Sequence, residues 1–517
     1  MHWTELPIEI FESILGYLDL NSVKALRLAD CKFAQRCLGP RYLSCIQQPT
    51  LDVSLHTLHS LCALSRNPIL SQRVHSLTFM ATSLDSYELE KNVNKGWYIV
   101  RKSHGSGPMF TATSVEYSPE ELVQAKCDLD WLREQQNMRA QESPTEMIEI
   151  LHTALNGFSR LESINLDGAL LMGRARRECP ANGRWHPLWM RASHIFSFIL
   201  TALVRSGLSL SRFNVYRQTP RCCIPSGHIT TYASAFNLEQ LRKLAKDLQS
   251  LQLSLSAEVK SIRDLQAEEG ALSEDEDSDF GSSEGHLSHK DPRALLVDKT
   301  PGITSLLQFS SNLRKLVLSF RNALHGGILD SYDRIIESIA QETRFPRLEV
   351  CALSGFVAKG ESILLFLQKH PDLRSLTLHQ CTLTSGSWTP IFSYIHQSMS
   401  RLKTLSLSNL YGKHMQNHKY TLGGGFQDSN DREGEEDDER EGDGMVNLVP
   451  IWDNNPPPFW NRFITAGGTC VHTRDFTGEE IQEGLVFRPL RQARGRAKGS
   501  IEVTRWRKST QAMYGAP

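Results

Sequence analysis

The sequence predicts an α/β chain: three short helices at the N-terminus, then an irregular α/β solenoid of strand–helix units. Three observations predict it. Eight short segments share the spacing Leu-x-x-Leu-x-Leu or a close variant of it. Amphipathic helical stretches lie between most of them. Residues 6–38 carry apolar side chains at helical period, broken by turn and cap residues. A chain of 517 residues is long for one compact unit, which leaves several domains or one elongated array.

In Leu6–Leu18, Pro7 suits a first helical position, where its missing N–H costs nothing. Glu9 sits near the positive end of that helix dipole. Ile10, Phe11, Ile14, Leu15 and Leu18 recur at three- and four-residue spacing. Asp19-Leu20-Asn21-Ser22 ends this helix and caps a second one carrying Val23, Leu26 and Ala29. A third helical piece surrounds Phe33 and Cys37. A unit of about 40 residues rarely buries enough surface to stand alone, so these helices either pack on the rest of the chain or form half of an interface.

After a helical-looking stretch at Leu51 to Leu64, Val74-His-Ser-Leu77-Thr-Phe79 opens the series. It continues at Leu161-Glu-Ser-Ile164-Asn-Leu166, Leu210-Ser-Arg-Phe213-Asn-Val215 and Leu248-Gln-Ser-Leu251-Gln-Leu253. Four more follow: Leu313-Arg-Lys-Leu316-Val-Leu318, Leu348-Glu-Val-Cys351-Ala-Leu353, Leu373-Arg-Ser-Leu376-Thr-Leu378 and Leu402-Lys-Thr-Leu405-Ser-Leu407. The last two apolar residues of each unit share one face of a short strand, and the first anchors the turn into it. Leu373, Leu376, Leu378, Cys381 and Leu383 complete the leucine-rich repeat template Leu-x-x-Leu-x-Leu-x-x-Cys-x-Leu. The Leu161 unit nearly does so, with Ala169 and Leu171 at the later positions. Helices are expected at Met147–Leu155, His194–Val204, Leu238–Leu248, Tyr332–Ile339, Ser362–Leu367 and Ile391–Ile395. Unit starts are unevenly spaced, so the repeats are degenerate and carry insertions.

Three inserts read as loose. Lys91 to Ser118 is Gly-, Ser- and Thr-rich, with a candidate hairpin strand at Trp97–Val100. Residues 268–291 and 423–446 are acidic and too poor in apolar residues to offset their ordering entropy. Ser273, ahead of Glu276, is a candidate acid-directed phosphorylation site. The end of the chain, 447–517, concentrates Trp452, Pro456–Pro458, Phe459, Trp460 and Phe463, with candidate strands at 485–487 and 501–506 and a basic cluster from Arg488 to Lys508. It is expected to cap the open end of the array. The domain division is therefore 1–46, 47–146 (linker, first strand and loose insert), 147–412 (repeats), 423–446 (acidic linker) and 447–517.

Composition excludes several classes. Lys plus Arg number 57 and Asp plus Glu 58, so global charge argues for neither a nucleic-acid nor a membrane partner. The eleven cysteines show no Cys-x-x-Cys spacing, which fits neither the common zinc patterns nor a disulfide framework. No apolar run approaches the ~18 residues of a membrane span, and the N-terminus does not resemble a signal peptide. Phosphate-loop, His-Glu-x-x-His and Gly-x-Ser-x-Gly motifs are absent. The chain is expected to be a non-catalytic protein of the cytoplasm or nucleus, with no cofactor and no metal.

Leu6-Pro-x-Glu-Ile10, Ile14-Leu15, Tyr17-Leu18 and the Asp19–Val23 turn resemble the F-box motif, and Leu26-Arg-Leu28 with Cys31-Lys-Phe33 is similar to its second half. The resemblance covers about the first 45 residues and, with the repeats, extends to fungal-type F-box proteins carrying degenerate leucine-rich repeats. Asp30 stands where that family has a small or apolar residue, which bears on the third helix. The resemblance implies a substrate-recognition subunit of a Skp–cullin–F-box ubiquitin ligase. Leu6, Pro7, Ile10, Ile14, Leu15 and Val23 match the positions facing the Skp-type adaptor, through which the cullin is reached. A target protein would bind the face opposite the leucines, at Ser375, Thr377, His379, Thr404, Ser406 and Ser408, with Ser163, Asn165 and Asp167 earlier. The competing expectation is a leucine-rich scaffold without a ligase, its first helices serving as a cap.

Overall fold

The computed structural model describes residues 6–18, 20–37, 47–103, 110–171, 177–178, 186–216, 222–256, 302–321, 332–386, 388–408, 462–464 and 470–483, with Gly39, Gly173 and Leu410. The two acidic inserts, the strands expected at 485–487 and 501–506 and the basic cluster at 488–508 lie outside them.

The fold is mixed α/β, built on one large and mostly parallel sheet. Strands β1 (Thr50–Asp52) and β2 (Ser76–Leu84) begin it, so the sheet starts well before residue 147, where the sequence placed its main body. The hairpin β3 (Trp97–Ser103) and β4 (Phe110–Glu116) stands apart. Strand β5 (Ser163–Leu171) carries the short β6 (Arg177–Glu178) antiparallel on its end. Next come β7 (Arg212–Val215), β8 (Ile224–Pro225), β9 (Ser250–Ser256), β10 (Lys315–Arg321) and β11 (Val350–Ser354). The chain continues through β12 (Val357–Lys359), β13 (Ser375–His379), β14 (Thr382–Ser385) and β15 (Thr404–Ser408). Along the sheet the order is β1-β2-β5-β7-β9-β10-β11-β13-β15, which is chain order. Strand β17 (Cys470–Thr477) then pairs antiparallel with β15 and carries β16 (Arg462–Ile464) on its other side.

Each strand begins two residues after the first leucine of its unit, and that leucine is buried: Leu161, Leu210, Leu248, Leu313, Leu348, Leu373 and Leu402. Between leucine and strand, one carbonyl of the preceding unit takes two amides. Glu349 and Val350 both donate to the Arg314 carbonyl, Arg374 and Ser375 to that of Glu349, and Lys403 and Thr404 to that of Arg374. This fixes the register, so Leu316, Cys351, Leu376 and Leu405 form one buried row and Leu318, Leu353, Leu378 and Leu407 the next. Each fully buried leucine stabilises the fold by roughly 2 kcal/mol. Helices Arg334–Glu342, Gly360–Lys369 and Thr389–Ser398 lie between these strands in the chain and bury Ile335, Ile339, Ile363, Phe366, Ile391 and Ile395 in the same core.

Two expectations need correction. Lys91 to Ser118 is not merely loose: a helix at Tyr87–Lys95 ends on Gly96 (φ 77°), and β3 and β4 follow in a seven-residue register. Their β-branched residues and the Tyr98–Tyr117 ring contact at 4.8 Å outweigh a loop-like composition. A 22-residue helix, Pro119–Ala140, then starts at a Ser118–Glu121 capping box with proline at its first position. The second correction concerns the Leu161 unit. In the Leu373 unit the strand stops at His379, Gln380 turns at φ 55°, and Cys381 and Leu383 are buried. In the Leu161 unit β5 runs straight on to Leu171, so strict alternation puts Ala169 and Leu171 on the face opposite Ile164 and Leu166.

His370 ties two units together. Its Nδ1 lies 2.7 Å from the Phe366 carbonyl and its Nε2 accepts from the Phe345 amide at 3.0 Å. The ring packs on Phe345 and Phe366. Burial pulls its pKa from 6.5 down to about 4, because an imidazolium there would lose the Phe345 bond as well as its hydration. The folded pKa is depressed, so the stabilisation is complete above about pH 6.5 and is lost as pH falls toward 4, by on the order of 3 kcal/mol. Denaturant midpoints measured from pH 7 to pH 5 should fall more steeply for the wild type than for His370→Asn.

Candidate protein-binding surfaces

The N-terminal helices are α1 (Ile8–Gly16), α2 (Leu20–Ala29) and α3 (Cys31–Arg36). Pro7 is the N-cap of α1 rather than its first helical residue, with φ −51° and ψ 147°. Asp30, the departure noted in the sequence, makes α3 instead of breaking it. Its carboxylate accepts the Lys32 amide at 2.8 Å, a bond that holds its pKa below the usual carboxylate range.

Alpha-helical spacing divides α1 into two apolar stripes. Phe11, Leu15 and Leu18 turn inward. Phe11 stacks on Phe33 at 6.1 Å, the Arg36 guanidinium lies 4.7 Å over its ring, and Arg36 also donates to the Leu6 carbonyl. Val23 and Cys37 complete this packing, which is continuous with the core of the sheet. The second stripe faces out. Pro7 and Ile10 are exposed, and Leu6 and Ile14 are half-buried. Of the six residues expected to face a partner, the structure therefore brings Leu6, Pro7, Ile10 and Ile14 to an accessible side and buries Leu15 and Val23. Three further residues, not among the six matched to the adaptor-facing positions, are exposed: Ile8 (49%), Tyr17 (89%) and Leu28 (88%). The i, i+3/i+4 sequence Pro7, Ile10, Ile14, Tyr17 was the available signal for Tyr17.

The second surface is the sheet face opposite the leucines. On β13, Ser375, Thr377 and His379 are half-buried, and on β15 Thr404 is exposed and Ser406 half-buried. Thr404 Oγ1 donates to Ser375 Oγ at 2.8 Å, and His379 Nε2 lies 3.0 Å from Ser406 Oγ. Ser408 is in register with His379. Burial lowers the His379 pKa, and the Asp475 carboxylate, brought opposite Ser406 by β17, offsets part of that shift. At the other end the same face is consumed by the fold. Ser163 is buried, and Asp167 caps the Gly168 amide. Asn165 Nδ2 donates to Ser76 and Thr78, while its Oδ1 accepts from Asn214 at 2.7 Å.

The insert covers that end. Leu84 and Leu171, on the face opposite the main core, pack with Leu89, Val93, Tyr117, Ala125, Leu129, Trp131 and Leu132 into a second small core. Arg139 pairs with Asp52 at 2.6 Å and Gln136 donates to the Leu84 carbonyl at 3.0 Å, fixing the Pro119–Ala140 helix over the strands. No known family model and no curated protein matches the chain.

Among the described residues no cluster of three metal-ligating side chains forms, and no helix is long and apolar enough to cross a membrane. A Ser193–His228 hydrogen bond of 2.7 Å exists, but Ser193 is fully buried and also bonds Tyr232, which makes it a helix-to-helix tie. The Asn165 bonds carry a prediction. Asn165→Ala removes three cross-strand hydrogen bonds, which should cost about 2 kcal/mol in chemical denaturation.

Proposed function

We propose that the chain is the substrate-recognition subunit of a Skp–cullin–F-box ubiquitin ligase. The N-terminal helices are its F-box and the sheet with its helices is a degenerate leucine-rich-repeat solenoid. The observation that carries this reading is the outward apolar stripe of α1. Of the ten exposed large apolar side chains among the described residues, Ile10 and Tyr17 lie on this stripe, Ile8 stands in the first turn of α1 and Leu28 on α2. A helix whose inner stripe already meets the needs of folding has no intramolecular use for a second one, and clustered exposed apolar residues mark a binding surface. The adaptor subunit would take Leu6, Pro7, Ile8, Ile10, Ile14 and Tyr17. Leu15 and Val23 would act indirectly, by fixing the helices on the array.

The array would hold a target protein while other subunits transfer ubiquitin, so this chain supplies proximity and orientation and no bond chemistry. Ser375, Thr377, His379, Thr404, Ser406 and Ser408 would lie on the recognition face. Its two side-chain bonds restrict those groups before a partner arrives, which lowers the ordering cost of binding. The cytoplasm or nucleus is the fitting compartment, and the eight described cysteines are all free thiols.

The burial of Leu15 and Val23 favours a second reading, a scaffold whose helices only cap the array. A pull-down with purified Skp-type adaptor separates the two. Ile8→Asp/Ile10→Asp should lower binding by about tenfold or more, whereas Ile69→Asp, at an exposed apolar residue outside the N-terminal helices, should bind as the wild type does. A folded wild type that does not bind the adaptor leaves the scaffold.

A further inference from the structure

The turns that lead into the later strands carry an unbalanced charge. Arg314, Arg344, Arg347, Arg374, Arg401 and Lys403 are exposed there, against Glu349 and Asp372 within the turns themselves; Glu342 ends the helix before Arg344, and Glu479 and Glu480 open the helix Gly478–Glu483 that starts beside Lys403. The strand-entry hydrogen bonds align the edge. The amides of Glu349, Arg374 and Lys403 each donate at 2.8 Å to the carbonyl of the residue one unit earlier, so Arg314, Glu349, Arg374 and Lys403 stand in one row across four strands. Neighbours in such a row are ~4.8 Å apart. Glu349 serves both Arg314 and Arg374, each at 3.9 Å, and Asp372 pairs with Arg401 at 3.1 Å. Among the described residues no carboxylate pairs with Lys403, Arg344 or Arg347. The chain as a whole is close to neutral, so this positive edge is local.

We infer that this edge is a docking strip for an acidic peptide segment of a partner protein. Like charges held at strand spacing repel one another, and a carboxylate-rich segment laid across them removes that repulsion while gaining charge-assisted hydrogen bonds. The row favours a peptide over a nucleic acid on two counts. Glu349 sits inside it, where a continuous phosphate backbone would meet a negative charge. And the aromatic rings of the adjoining turns offer no stacking platform: Phe345 is buried, and Phe309 is half-buried with the Arg242 guanidinium 5.2 Å over its ring. The side chains involved have room to adjust, so the strip would select by charge density and steer encounter more than it would fix a sequence.

The inference extends the array's role as the recognition end and rests on that reading. Its test uses the full chain, a fluorescent peptide containing eight glutamates, the same peptide with glutamines, and a thymidine oligonucleotide of equal charge. The glutamate peptide should bind, the glutamine peptide should not, and raising ionic strength from about 0.05 to 0.3 M should weaken binding severalfold. Arg374→Glu/Lys403→Glu should weaken it at least tenfold, while the same variant still captures the Skp-type adaptor as the wild type does. Unchanged affinity in the variant overturns the strip. So does tighter binding of the oligonucleotide than of the peptide, which would assign the edge to nucleic acid. Loss of adaptor capture by wild type and variant alike would instead count against the ligase reading.

Discussion

The structure depends on one repeated backbone interaction, the carbonyl at each strand entry that accepts two amides from the next unit. It occurs at His75, Glu162, Ser211, Gln249, Arg314, Glu349 and Arg374, and each instance sets the register of the following strand. Because side chains alternate on a strand, a slip of one residue would exchange the leucine face for the polar face. Register is therefore what separates a buried row such as Leu316–Cys351–Leu376–Leu405 from the accessible row containing Thr377 and Ser406. The turn leucines reinforce it, since each sits two residues ahead of its strand and is buried in the core beside the entry bonds.

From that constraint the chain gains two unlike ends. At β1, β2 and β5 the sheet is wrapped on both faces, by the main helical layer and by the insert helix with its small core, and the polar row there is spent on cross-strand bonds around Asn165. At β11 to β17 the polar row keeps accessible groups, and β17 adds Asp475 to it. The N-terminal helices share the main core through Phe11, Leu15 and Val23. The outward stripe of α1 is thus fixed in direction by the same packing that holds the array.

Much of this was legible in the sequence. A leucine spacing that alternates burial on a short strand has one simple meaning, and all eight units became strands at or within two residues of where the pattern put them. The insert was not legible from composition. Gly, Ser and Thr suggested a loop, yet cross-strand pairing of β-branched and aromatic residues decides a hairpin, and that pairing is not visible in a residue count. The Pro119–Ala140 helix has a local signature in Ser118-Pro119-Glu120-Glu121, which leucine spacing does not register. Ala169 and Leu171 were assigned by a template that assumes the strand stops; β5 does not stop, and parity alone moves them to the other face. At the N-terminus a motif names positions without saying which stripe the rest of the fold will cover. Leu15 and Val23 went inward because the chain's own core was there to receive them, and Ile8, Tyr17 and Leu28 stayed out because nothing was.

The most direct test of the account is hydrogen–deuterium exchange of the full chain with and without a purified Skp-type adaptor. Added protection should be confined to residues 6–29, strongest around the Pro7–Tyr17 stripe, with the amides of β11, β13 and β15 unchanged. Protection that appears instead on those strands, or nowhere on a folded chain, would contradict it.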